Sequence, residues 1–231
     1  SEPFIIRERL GYPYRQPRAV LAEAVAVIRE LLAGNRVDAA GRQFTVQNTR
    51  LAILPVQQPM PIYLAALGPQ ALRLAGAIAD GVILNAYVPA DYVRYAVGII
   101  REAAREAGRD PAAIDITCML VVRLTHDAGA ILPGLKQRLV RLLSEPHVGE
   151  ILLERGGFDV GILEPLRAAE TADGRRAADL ISDEMVEALY VVGDAAACRA
   201  RIDDYVAAGV DAPLLLPRLE DYLRVADALR P

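Results

Sequence analysis

The chain has 231 residues, a hydrophobic fraction of 53%, 24% charged residues and a formal net charge of −4. That length allows one large domain with a full core, and no concentrated basic face points to nucleic acid. No apolar run reaches membrane-spanning length, the N-terminus lacks an apolar signal core, and the two cysteines and two histidines leave no metal-type cluster.

The first strong signal is a helix over 17–33. Val20, Leu21, Ala24, Val27, Ile28, Leu31 and Leu32 recur at helical spacing, with Pro17 at its start and Gly34 at its stop. Two short β-like runs follow, around Phe44–Val46 and Leu51–Leu54. A strand at Pro61–Ala65 then ends in Leu67-Gly68-Pro69 and leads into a helix over Gln70–Ala79. A second strand, Val82–Leu84, runs into Asn85, and Pro89 opens a helix to about Ala107. Ile114–Leu124 is a third strand, rich in β-branched residues. Residues 130–190 read as helical and irregular, broken at Pro146, Gly156-Gly157, Pro165 and Gly174, with Ser182 as an N-cap. A helix from Asp194 to Ala208, a fourth strand at Pro213–Leu216 and a helix over Leu219–Leu229 complete the chain.

This β-α-β-α order, with strands apolar throughout, predicts a parallel sheet buried on both faces by helices. A doubly wound sheet and a (β/α)₈ barrel both satisfy it. Four strand–helix units are visible, and the barrel needs eight. The helix at 17–33 has no strand before it, so the expectation is a fold whose earlier strands lie upstream of Ser1.

The stretch Ala65-Ala66-Leu67-Gly68-Pro69 is the strongest chemical candidate. Small residues let an anion approach the backbone, and the N–H groups at the start of the next helix favour a phosphate there. An ordinary tight βα connection explains the same residues. Asn85 and Tyr87 follow the second strand at the edge where parallel α/β folds place their sites; Asn85 serves equally as a turn cap. His126 beside Asp127 has the makings of an acid–base pair, and a surface loop histidine accounts for it as well. Asp194 reads as an N-cap. The chain contains no nucleophile elbow, no P-loop and no GxGxxG.

Residues 61–81, Pro-Ile-Tyr-Leu-Ala-Ala-Leu-Gly-Pro followed by Leu72-Arg73-Leu74-Ala75-Gly76-Ala77-Ile78-Ala79-Asp80-Gly81, resemble the bacterial luciferase-like monooxygenase family. The resemblance is to its deazaflavin (coenzyme F420)-dependent branch, which includes methylenetetrahydromethanopterin reductase. Tyr14-Arg15-Gln16-Pro17, Gly41-Arg42-Gln43-Phe44 and Val191-Val192-Gly193-Asp194 are similar to the flanking family segments. The resemblance implies a TIM barrel, (β/α)₈, often dimeric, using F420 or FMN. It assigns the coenzyme phosphate to Ala65, Ala66, Leu67, Gly68 and Pro69, and places Asn85 at the sixth barrel strand, lining the pocket. Leu67 stands where family loops often carry a second Gly.

By that resemblance the visible strands are five to eight and the helix at 17–33 is helix four. The whole chain is then one domain, the C-terminal part of a barrel with a helical insertion at about 130–190. The expected protein is a cytoplasmic homodimeric oxidoreductase that moves a hydride between F420, or FMN, and a small organic substrate. No catalytic residue is assigned, because such a coenzyme carries the chemistry itself. The alternative is a non-catalytic coenzyme-binding or assembly protein that dimerises through its open barrel.

Overall fold

A computed structural model describes residue 11 and residues 16–42, 44–172 and 174–230. Tyr14, Arg15 and Gln43, which carry part of the family resemblance, lie outside the described residues, as does the start at Ser1. Helix α1 spans Pro17–Leu32 and is followed by an antiparallel pair, β1 (Val37–Ala40) and β2 (Thr45–Thr49). The main sheet begins with β3 (Tyr63–Ala66), α2 (Pro69–Ile78), β4 (Gly81–Leu84), α3 (Ala90–Glu106) and β5 (Asp115–Leu124). Five helices follow: α4 (Ala128–Ser144), α5 (Val148–Gly156), α6 (Leu163–Ala172), α7 (Gly174–Ala178) and α8 (Asp183–Leu189). Strand β6 (Val191–Gly193), α9 (Ala195–Ala207), β7 (Ala212–Leu216) and α10 (Tyr222–Ala228) close the chain.

Strands β3 to β7 form one five-stranded sheet in which every pairing is parallel. The ten-residue β5 is its centre. Its first half pairs with β4 and its middle with β7, while Val122–Leu124 pairs with Val191–Gly193. The parallel sheet and its four longer strands match the sequence reading. Strand β6 was not foreseen, because three residues are too few to show a pattern. The run Leu51–Leu54 is not a strand either. Ile53 is 85% exposed, and Val37–Ala40 pairs with Thr45–Thr49 instead. Pro165 does not break a helix; it sits in the first turn of α6, where its missing N–H costs nothing.

Alternate residues separate the two faces of the sheet. Leu64, Ala66, Val82, Leu84, Ile116, Cys118, Leu120 and Val122 are buried on the helix side. Helix α3 supplies Tyr92, Val93, Ala96, Val97, Ile100, Ala103 and Ala104, a stripe of helical period that packs into this core. On the opposite face Tyr63, Ala65, Leu214 and Leu216 are exposed and Ile83 and Met119 partly so, while Thr117 and Val121 are buried. The expectation of burial on both faces is therefore corrected: helices cover one face fully and the other only in part. That unequal cover is barrel-like, since a doubly wound sheet carries helices on both faces.

Asp80 secures the N-terminal ends of the strands. Its carboxylate accepts the Ile62 N–H at 2.8 Å and the Arg29 guanidinium at 2.9 Å, with Arg109 at 3.8 Å. Arg29 also donates to the Ile78 carbonyl at 2.9 Å, tying α1 to α2. Asp80→Ala strands these donors, so we expect it to cost about 2 kcal/mol in urea unfolding. The turn at Ala65–Pro69 should be unaffected, because Asp80 sits at the opposite end of the strands.

Candidate functional site

At the C-terminal end of β3 the chain turns through Leu67 and Gly68 into α2. No side chain caps this helix, and Pro69 occupies its first turn. The Gly68 carbonyl accepts the N–H groups of Ala71 and Leu72, both at 3.0 Å. The earlier N–H of Gln70 has no intrahelical acceptor, as at any helix start. A Cβ built on Gly68 meets nothing within 4 Å, and its φ of −79° suits any residue. Glycine here leaves an open approach to the backbone rather than solving a strained turn.

Two buried tyrosines from the covering helices brace the site loops. Tyr92 of α3, fully buried, donates to the Leu67 carbonyl at 2.6 Å. Tyr205 of α9 donates to the Val88 carbonyl at 2.8 Å, behind the loop that carries Asn85. Burial pushes the Tyr205 hydroxyl up to about 12 and that of Tyr92 higher still, so both stay protonated donors. Sequence reading missed both tyrosines. Nothing local in the sequence shows where their hydroxyls end.

A cavity of about 600 Å³ opens at this edge of the sheet. Ala65, Ala66, Leu67 and Asn85 line one side, and Arg138 and Arg141 of α4 line the other. The fold thus brings together three residues of the proposed phosphate loop and the proposed pocket asparagine, with Gly68 and Pro69 next along the chain. Asn85 also caps its own turn, its Oδ1 accepting the Ala86 N–H at 3.0 Å. That leaves its amide NH₂ for the cavity. Tyr87 does not line it. The ring stands edge-on to Tyr190 with centroids 5.1 Å apart, and its φ of 64° turns the chain away.

The remaining candidates serve structure. Asp127 accepts the Ala130 N–H at 3.1 Å through Oδ1 and caps α4, next to the exposed His126. Ser182 and Asp194 cap α8 and α9, as their sequence positions predicted. His147 precedes α5 in a left-handed conformation. Burial raises the Cys118 thiol to about 12 and that of Cys198 to about 11, which makes both poor nucleophiles. Among the described residues, no group of His, Cys, Asp and Glu is arranged to hold a metal ion. None of their helices is long and apolar enough to cross a membrane.

Comparison with known proteins places this geometry in a family. The chain is 30% identical over 205 residues to the 5,10-methylenetetrahydromethanopterin reductase of Methanolobus tindarius, covering 88% of this chain and 61% of that protein. It is 34% identical over 115 residues to the F420-dependent glucose-6-phosphate dehydrogenase of Gordonia bronchialis, covering 49% of this chain and 33% of that one. The solved coenzyme F420-dependent tetrahydromethanopterin reductase of Methanopyrus kandleri superposes with a TM-score of 0.77 at 25% identity, over 92% of this chain and 65% of that one. The chain therefore spans about six-tenths of the length of these reductases. The Luciferase-like monooxygenase family model matches residues 1–212, and the chain belongs to that family.

Proposed function

We propose that the chain holds coenzyme F420 at the turn from β3 into α2, as part of an oxidoreductase that passes a hydride between F420 and a small organic substrate. The observation that carries this reading is the uncapped start of α2, with an open Gly68 beside a cavity of about 600 Å³. An anionic group is the natural occupant of such a helix start. The residues that would hold the phosphate are Ala65, Ala66, Leu67, Gly68 and Pro69, with Asn85 on the pocket wall. When bound, the coenzyme supplies the hydride chemistry. The chain binds and orients it, and the Tyr92 hydroxyl fixes the loop carbonyl behind it. Relatives described as F420-dependent support F420 over FMN.

In this reading the chain is one domain, and β3, β4, β5 and β7 count as strands five to eight of an eight-stranded barrel. Helices α4 to α8 are the insertion. The partly uncovered sheet face supports it, since a closed barrel turns that face inward. It also favours a second reading, in which a further copy of the chain covers Leu214 and Leu216 and the coenzyme is bound without turnover. Titration of the chain with F420 and with FMN, followed by fluorescence, tests the first reading. F420 should bind at least tenfold more tightly. Equal affinities, or no binding of either, would sink it. Tight F420 binding with no hydride transfer to any substrate is the signature of the second.

A further inference from the structure

Helix α4 faces the phosphate loop across the cavity, and its contribution is basic. Arg138 and Arg141 stand three residues apart, on one face of the helix, and both line the cavity. Both side chains lie on exposed positions of α4. Behind them Arg123 ends β5 half-buried. Its guanidinium donates to the carbonyls of Val122 at 2.7 Å and Leu216 at 3.4 Å, and lies 5.9 Å from the centre of the Tyr190 ring. Among the described residues no carboxylate forms an ion pair with Arg123. Burial lowers its pKa, and repulsion from Arg218 and Arg138 adds to the effect while Tyr190 and Tyr87 oppose it. Arg218 is neutralised by Glu220 and Asp221, at 3.5 and 3.1 Å. One carboxylate, Glu145, shares the cavity wall with the two α4 arginines. Two guanidinium groups thus line one wall of the cavity, and the charge of Arg138 also reaches Arg123, in a chain whose net charge is −4.

The Tyr190 hydroxyl sharpens the picture. The residue is 1% exposed, and its hydroxyl interacts with Tyr87 and feels the positive charges of Arg123 and Arg138. A half-buried cation that faces no anion among the described residues is costly unless something completes the set.

We propose that Arg138 and Arg141, backed by Arg123, form a second anion subsite in the cavity, opposite the β3–α2 turn, which takes a carboxylate or phosphate group. This deepens the coenzyme reading and rests on it for the identity of the ligand that spans the cavity. The planar, forked guanidinium suits oxyanions of either kind. The anion has two possible sources: an acidic tail of the coenzyme itself, or an acidic substrate bound beside it.

The test compares the chain with its Arg138→Gln/Arg141→Gln variant. Both side chains are exposed, so the helix should tolerate the change, and an unaltered melting temperature in ligand-free buffer checks this. Citrate and inorganic phosphate are titrated calorimetrically at low ionic strength. We expect at least one of them to bind the parent chain, with affinity falling as salt rises, and the variant to lose about tenfold or more. F420 and its fragment without phosphate and acidic tail are titrated alongside. If F420 weakens by about tenfold while the fragment does not, the coenzyme is the source. If citrate or phosphate weakens while F420 does not, the source is a separate acidic ligand. Failure of both anions to bind the parent, or equal binding to parent and variant, overturns the proposal. The coenzyme reading fails separately: F420 then does not bind the parent chain at all, while the citrate arm still decides the subsite.

Discussion

Gly68→Glu should weaken F420 binding by about a hundredfold while leaving the fold intact. The new side chain meets open space, and the φ of −79° at this position suits any L-residue. Stability should therefore stay within about 0.5 kcal/mol of the parent in urea unfolding. The carboxylate would project into the approach that the coenzyme phosphate needs. Two like charges brought together at a helix start cost several kcal/mol, and about 3 kcal/mol corresponds to roughly a hundredfold in affinity. Gly68→Ala gives a graded control, because a methyl group narrows the approach without adding charge; a loss of about tenfold or less is expected. Titration of the parent and both variants by F420 fluorescence reads this directly. If Gly68→Glu binds as tightly as the parent, the phosphate does not sit at this turn.

A pair of alanine substitutions should move stability in opposite directions. Gly76 lies in α2 where that helix crosses α3, and a Cβ there would stand 2.3 Å from the Ile100 carbonyl oxygen and 3.1 Å from the Ala103 side chain. The obstacle is backbone, so the helices must separate. Gly76→Ala should destabilise by about 2 kcal/mol, even after the gain in helix propensity. Gly98 lies within α3 on its exposed side, and a Cβ there meets nothing within 4 Å. Gly98→Ala should stabilise by about 0.5–1 kcal/mol, by lowering the freedom of the unfolded chain. Urea midpoints at constant slope are the measurement. If Gly76→Ala proves as stable as the parent, α2 and α3 do not pack as closely as described. A loosened α2 should also weaken F420 binding, because this helix starts at the turn proposed to hold the phosphate.

The strand–helix alternation was legible because its signals are local. Pro69 at a helix start, Gly108 after α3, Asp194 and Ser182 as caps, and the β-branched run of β5 each act within a few residues. The same holds for the turn at Ala65–Pro69, whose small residues and proline announce a close backbone approach. Val191–Gly193 escaped notice because its partner, Val122–Leu124, lies far away in sequence and three residues show no period. Leu51–Leu54 misled for the opposite reason: its composition suits a strand, but no neighbouring strand accepts it. The exposed Ile53 records that failure.

Sequence alone settled the parallel α/β class and the family resemblance, and it marked the turn at Ala65–Pro69 as the candidate for an anion. These depend on periodicity, caps and motif residues that lie next to one another in the chain. Only the tertiary structure decided what faces that turn. Sequence reading singled out none of Arg138, Arg141, Tyr92 and Tyr205. The partners of the two tyrosines, Leu67 and Val88, lie 25 and 117 residues away. Tertiary packing likewise decided that the helices cover one face of the sheet fully and leave Leu214 and Leu216 on the other exposed. An apolar strand reads the same whether one face or both are covered, because a side chain's neighbours come from other elements.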